Sequence, residues 1–195
     1  MEKNTVLNGE MSYNDYLLLL NNLVKEGKAT GEEQSENLIK YTKLNHKRMQ
    51  RIDKKGELTD GQIAEIKTLE TPVEWIVLTE SWCGDAAQTL PYMNKIAESN
   101  SNIELKVVLR DKNLKLMDAH LTNGGRSIPK LIMRDKNTKE ILNTFGPRPS
   151  KATSLVQEFK NTHGSLTDDF KKELQLWYTK DKGQNTVDDL INILR

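Results

Sequence analysis

The sequence predicts an α/β fold, a central mixed sheet flanked by helices, and three observations carry that expectation. Residues 75–79, Trp-Ile-Val-Leu-Thr, form a continuously apolar, β-branched run of the kind a strand buried on both faces shows. A helix-length amphipathic stretch separates it from the alternating Ile103, Leu105, Val107 and Leu109, which completes a β-α-β unit. Two further apolar runs, 131–134 and 141–145, are joined by the polar Asp135-Lys136-Asn137-Thr138-Lys139 and read as a hairpin. A chain of 195 residues is long enough to bury a substantial core around such a sheet.

Each element has its own local reason. Ser12-Tyr13-Asn14-Asp15 is a capping signal, after which Tyr13, Tyr16, Leu17, Leu20 and Val24 recur at helical spacing until Lys25-Glu26-Gly27. Thr30-Gly31-Glu32-Glu33 opens a second expected helix, running to about Arg51 with Leu38, Tyr41 and Leu44 on one side. Thr59-Asp60-Gly61-Gln62 opens a third, carrying Ile63, Ile66 and Leu69 before Pro72. The crossover from residues 75–79 to the next strand is expected to be right-handed and the strands parallel. That places Cys83 and Arg110 on the same edge of the sheet. Residues 116–121 read as a short helix and Asn123-Gly124-Gly125-Arg126 as the loop leading to Pro129. Residues 150–162 read as a helix with Ala152, Leu155, Val156 and Phe159 inward, stopped at His163-Gly164. Thr167-Asp168-Asp169 starts another, with Phe170, Leu174 and Trp177 on one stripe. Thr186-Val187-Asp188-Asp189 starts a last one, with Leu190, Ile191 and Leu194.

The one cysteine, Cys83, falls where a strand hands over to a helix. Unpaired N–H groups and the positive end of the helix dipole bias a thiol there toward thiolate. The plainer reading of a lone cysteine is a small buried apolar residue. Around it the chain reads Trp82-Cys83-Gly84-Asp85-Ala86, and further on Ser127-Ile128-Pro129 precedes an apolar run. At these residues the chain resembles the thioredoxin superfamily, whose active site is a Trp-Cys-Gly-Pro-Cys turn after a central strand, faced by a cis-proline. The resemblance covers about residues 74–163. It implies a thioredoxin-like domain over residues 73–164, an N-terminal helical extension over 1–72 packed on it, and a C-terminal helical extension over 165–195. It also implies Cys83 as the attacking thiol, in a groove shaped by Trp82, Gly84, Asp85, Ala86, Arg126, Ile128 and Pro129.

Two departures from the family pattern bear on activity. Ala86 stands where the resolving cysteine belongs, and Val77 where the family's thioredoxins carry a buried aspartate. Without a second thiol the reaction stops at a mixed disulfide unless an outside thiol arrives. The leading expectation is therefore monothiol exchange through Cys83 with a protein or small-molecule thiol or disulfide, not dithiol reduction. The alternative is a redox-inactive scaffold that binds a protein or small-molecule partner in the same groove. A third reading is metal or iron–sulfur binding through Cys83 of two copies. Asp85 should raise the thiol pKa by like-charge repulsion, with Arg110 and Arg126 opposing it if they reach the same edge. Gly124-Gly125 precede Pro129 instead of following it, so the glutathione site of monothiol glutaredoxins is not matched.

Composition narrows the rest. A net charge of +1 gives no field that calls for nucleic acid or a membrane surface as partner. Lys47-Arg48, Arg51 and Lys54-Lys55 lack interleaved aromatics and read as a solvated helix face. His46, His120 and His163 are far apart and make no metal-ligand spacing, so neither a metal nor a cofactor is expected. A single cysteine excludes an internal disulfide and fits a reducing compartment. The polar N-terminus and the short leucine cluster at 17–20 do not make a signal-peptide core, and no stretch reaches membrane-spanning length. A cytoplasmic location is the resulting expectation.

Overall fold

β1 (Val73–Thr79) is the axis of the structure, a computed structural model that describes residues 6–195. The first five residues of the polar N-terminus lie outside the described residues. All seven residues of β1 are buried. Val73, Trp75 and Val77 face one core cluster while Ile76 and Leu78 face another, which is why residues 75–78 are apolar without a break.

β1 pairs in parallel with β2 (Ile103–Leu109) and antiparallel with β3 (Lys130–Asp135), which in turn pairs antiparallel with β4 (Ile141–Phe145). The strand order is β2-β1-β3-β4, a mixed sheet. Beyond β2, Met11 forms a two-bond antiparallel bridge to Val107, with both N···O distances 2.9 Å. It covers part of an otherwise open edge.

The helices are α1 (Tyr13–Glu26), α2 (Glu36–Lys55), α3 (Asp60–Ile66), α4 (Ala86–Ser99), α5 (Leu114–Asp118), α6 (Ser150–His163), α7 (Asp168–Asp181) and α8 (Gln184–Asn192). α1 starts in a capping box between Ser12 and Asp15 and stops at Gly27, whose φ of 65° lies in the left-handed region. α3 has the same device in Thr59 and Gln62. Tyr16 and Leu20 of α1, Met49 and Ile52 of α2, Ile66 of α3, Leu90, Met93 and Ile96 of α4, and Val187, Leu190 and Ile191 of α8 share one cluster with Trp75. Burying each of these large side chains contributes about 1.5–3 kcal/mol. No helix among the described residues is long and apolar enough to cross a membrane.

Several elements differ from the sequence expectation. The second helix begins at Glu36, not Thr30, and runs to Lys55. Thr30 is engaged elsewhere: its N–H donates to Ser81 Oγ and its hydroxyl accepts from the Ser81 N–H, each at 2.9 Å. Gly31 is left-handed with φ of 89°, and Gln34 Nε2 closes the loop onto the Ala29 and Gly31 carbonyls at 2.9 Å. Backbone so committed cannot enter a helix.

The buried face of α2 is Thr42, Asn45, Met49 and Ile52, while Tyr41 and Leu44 stay exposed. The apolar periodicity misplaced that face because its N-terminal half binds Ser81 through polar groups. Thr42 Oγ1 lies 2.8 Å from Ser81 Oγ, and Asn45 Nδ2 donates to the Ser81 carbonyl at 3.0 Å. α5 occupies 114–118 instead of 116–121, leaving Leu121 exposed. Leu155 of α6 points to solvent. On α7 the third buried position is Tyr178, with Trp177 only partly covered.

Candidate active-site thiol and its surroundings

The chain leaves β1 at Thr79, turns through Glu80 to Asp85 and enters α4 at Ala86, so Cys83 sits on the turn between strand and helix. Its Sγ accepts from the Ala86 N–H at 3.4 Å, the contact expected of a sulfur at a helix start. The same sulfur donates its own proton to the Ile128 carbonyl at 3.2 Å. That bond exists only for the neutral thiol, since a thiolate would face the carbonyl oxygen with like charge. The Ile128–Pro129 peptide is cis, and both residues are buried beside the sulfur.

Cys83 is 7% exposed. Burial, and then the charge of Asp85, push its pKa up to about 12; the N–H groups of Ala86 and Asp85 and the guanidinium of Arg148 pull the other way. Burial wins because desolvation acts on the whole thiolate charge, whereas the helix-start bond is one weak N–H···S contact.

Asp85 does not cap α4; its carboxylate turns away from the helix and is buried. Arg148 Nη2 donates to one oxygen at 2.7 Å and the Tyr178 hydroxyl to the other at 3.0 Å. Burial raises the Asp85 pKa, against the opposing effects of Arg148 and Tyr178. Arg148 belongs to Gly146-Pro147-Arg148-Pro149, the segment between β4 and α6. Gly146 has φ of 108°, and a Cβ there would lie 2.2 Å from the Pro129 carbonyl oxygen. Only glycine lets this segment pass so close to the proline.

Gly84 is overlaid from two sides, because a Cβ added to it would lie 3.4 Å from Gln175 Nε2 of α7 and 3.5 Å from Arg48 Nη1 of α2. Gln88 Nε2 donates to Gln175 Oε1 at 2.9 Å and ties α4 to α7. α7, which lies beyond the expected thioredoxin-like segment, therefore covers the motif itself.

The structure thus gathers Cys83, Gly84, Asp85, Ala86, Ile128 and Pro129 around one sulfur. Trp82 is half-buried with the Arg110 guanidinium 5.0 Å from its ring centroid, so the ends of β1 and β2 do meet. Arg126 is drawn off instead: its guanidinium makes a two-bond pair with Asp118 at 2.6 and 2.9 Å. The cation bonded to Asp85, and acting on Cys83, is Arg148, while Arg48 acts on Asp85 from further off. Arg148 and Tyr178 were not found from sequence. The available signal for Arg148 was its place between two prolines after a glycine, a segment too stiff to be an ordinary loop. Beneath the turn, the Glu80 carboxyl accepts from the Asp111 N–H at 2.9 Å, its other oxygen is buried without a partner, and burial raises its pKa.

Residues 31–160 match the family model described as Thioredoxin. The match begins ahead of α2, so it takes in α2 and α3 together with the sheet. A crystal structure of a protein of unknown function from Pseudomonas aeruginosa superposes with a TM-score of 0.56 at 18% identity, covering 94% of this chain and 96% of that one. A crystal structure of an HIV epitope-scaffold superposes with a TM-score of 0.57, also at 18% identity, covering 94% and 97%. At that identity the likeness speaks for the fold alone. No curated protein is significantly similar in sequence.

Proposed function

This chain belongs to the thioredoxin superfamily, and from the state of its one thiol we propose that it works as a redox-silent binding scaffold in which Cys83 has become a structural residue. The observation that carries this reading is the S–H···O bond from Cys83 to the Ile128 carbonyl inside a nearly closed site. A thiol exchanges disulfides as thiolate, and here burial, Asp85 and an acceptor carbonyl all favour the protonated form. Ala86 adds that no second thiol stands at the position from which a mixed disulfide would be resolved. The partner on this reading is a small molecule or protein held outside the sulfur's own pocket. A lone thiol with no disulfide partner suits a reducing, cytoplasmic setting.

The experiment is the rate of Cys83 alkylation against pH in the folded protein, with the urea-unfolded chain as reference. The expected result is a folded thiol that reacts at least about a hundredfold more slowly at neutral pH and titrates far above the free value of about 8.5. A thiol titrating below that value overturns the proposal and restores monothiol exchange, the reading that the Ala86 N–H···S contact favours.

A further inference from the structure

α2 and α7 flank α4 and leave between them a cleft of about 570 Å³, lined by Arg51, Lys55, Gln88, Tyr92, Tyr178 and Lys182 among others. A second depression of about 360 Å³ continues it past Lys47, Arg48 and Leu176. The two share Arg51, Gln88 and Thr179 and so form one channel. Concavities of about 300–1,000 Å³ are the size that accepts small organic molecules.

The charge of this channel is one-sided. Lys47, Arg48, Arg51, Lys55 and Lys182 line it against the single carboxylate of Glu57. Several basic groups elsewhere stand in ion pairs: Lys106 with Glu74 and Glu10, Arg126 with Asp118, Arg134 with Glu74, Lys136 with Glu104. Among the described residues none of the five channel cations stands in a salt bridge. Burial, and then the charge of Arg51 beside it, disfavour the charged form of Arg48, with the more distant Asp85 acting the other way. Like charges gathered in a concavity without counterions focus the field and attract an anion.

Both guanidiniums are also held in place with donors to spare. Arg48 Nη1 donates to Asn45 Oδ1 at 2.9 Å, and Arg51 Nη1 to Thr179 Oγ1 at 3.4 Å. Each guanidinium carries five N–H groups, so most remain free in the fork geometry that suits phosphate or carboxylate. Exposed Leu44 and Leu176 supply apolar wall on the outer side. Lys182, which closes α7, holds a left-handed backbone with φ of 54°, unusual for a residue with a side chain, while its carbonyl accepts from the Tyr92 hydroxyl at 2.7 Å.

We infer that the channel between α2, α4 and α7 binds a small organic anion, its phosphate or carboxylate group held by Arg48 and Arg51 and its body lying along Leu44 and Leu176. This rests on the scaffold reading above and names its ligand class. The concave, small form of the site favours a small molecule over a nucleic acid strand. The floor of the channel includes Tyr178, whose hydroxyl holds Asp85. The bound anion would therefore sit directly behind the closed thiol.

The test titrates the full chain with pyrophosphate, citrate and, as a polyanion, a short single-stranded oligonucleotide, by calorimetry at constant ionic strength. The expected result is saturable one-to-one binding of pyrophosphate or citrate with a Kd below about 1 mM. Which of the two binds tighter separates a phosphate ligand from a carboxylate one. Arg51→Gln and Lys55→Gln lie on exposed positions, and each should weaken binding about tenfold while leaving the thermal transition unchanged. No saturable binding of either small anion overturns the inference, as does binding that both variants leave intact. Tighter binding of the oligonucleotide, weakening steeply with added salt, overturns it in favour of a nucleic acid surface. Alkylation of Cys83 is read separately: a fast-reacting thiol defeats the scaffold reading whatever the calorimetry shows, and a slow one leaves that reading standing if no anion binds.

Discussion

Arg148→Met is the most informative single change, because it removes the cation that balances a buried carboxylate beside the thiol. Asp85 would keep the Tyr178 hydroxyl and the more distant charge of Arg48, but no cation bonded to it. Removing one partner of a buried ion pair costs about 3–5 kcal/mol. The Arg148 side chain is 23% exposed, so water screens part of the pair and the lower end applies, about 3 kcal/mol. At about 2–4 °C per kcal/mol for a chain of this size, the thermal midpoint should fall by about 6–12 °C. Burial raises the folded Asp85 pKa above 3.8. Its ionised form therefore lowers stability at neutral pH, and that loss fades as pH falls through the folded value. Without Arg148 the folded value rises further, so the deficit of the variant should narrow as pH falls from neutral toward the unfolded value of 3.8. Urea denaturation at several pH values measures this, and Asp85→Asn combined with Arg148→Met should recover more than half the loss. A deficit under about 1 kcal/mol, typical of an exposed pair, or one that does not change with pH, would refute the reasoning.

Gly146→Ala places a Cβ 2.2 Å from the Pro129 carbonyl oxygen on a backbone with φ of 108°; a loss of about 3 kcal/mol or more is expected in chemical denaturation, and a change within about 0.5 kcal/mol would show that the segment yields freely. Glu74 is buried under Arg134, with Lys106 Nζ at 3.0 Å; burial pushes its pKa up, but the bonds and charges of Arg134 and Lys106 outweigh it and hold the carboxyl below its ordinary value. A depressed folded pKa contributes stability above the unfolded value of 4.5 and loses it as pH falls through the folded one. Glu74→Gln should then be about 2 kcal/mol less stable at neutral pH, with the gap closing as pH falls below 4.5, and a gap that persists in acid would contradict this.

What could be read from the sequence was whatever is written locally. β1 is legible because burial on both faces leaves a run with no polar alternation, and α1 and α3 because their capping residues lie three apart. The Cys83 turn was legible for the same reason: Trp82 to Ala86 are consecutive. The thiol's chemical state was not, since it depends on residues 45, 65 and 95 positions further on: Ile128, Arg148 and Tyr178. Nothing near Arg148 or Tyr178 announces that each will meet Asp85, because an ion pair between distant segments leaves no periodic trace. The start of α2 failed on the same ground. Thr30 looks like a cap until Ser81, 51 residues away, takes both its N–H and its hydroxyl.

The place of α8 bears on how the molecule is made. Its Val187, Leu190 and Ile191 complete the same cluster as Trp75, Leu90 and Met93, yet the ribosome delivers them after every other element of the sheet and its helices. Until they emerge, the nascent chain carries an apolar face of α3 and α4 with nothing to cover it. Segments of that kind engage chaperones or aggregate. Substitutions of these three side chains should then tell twice, in the stability of the finished fold and in the yield of soluble protein.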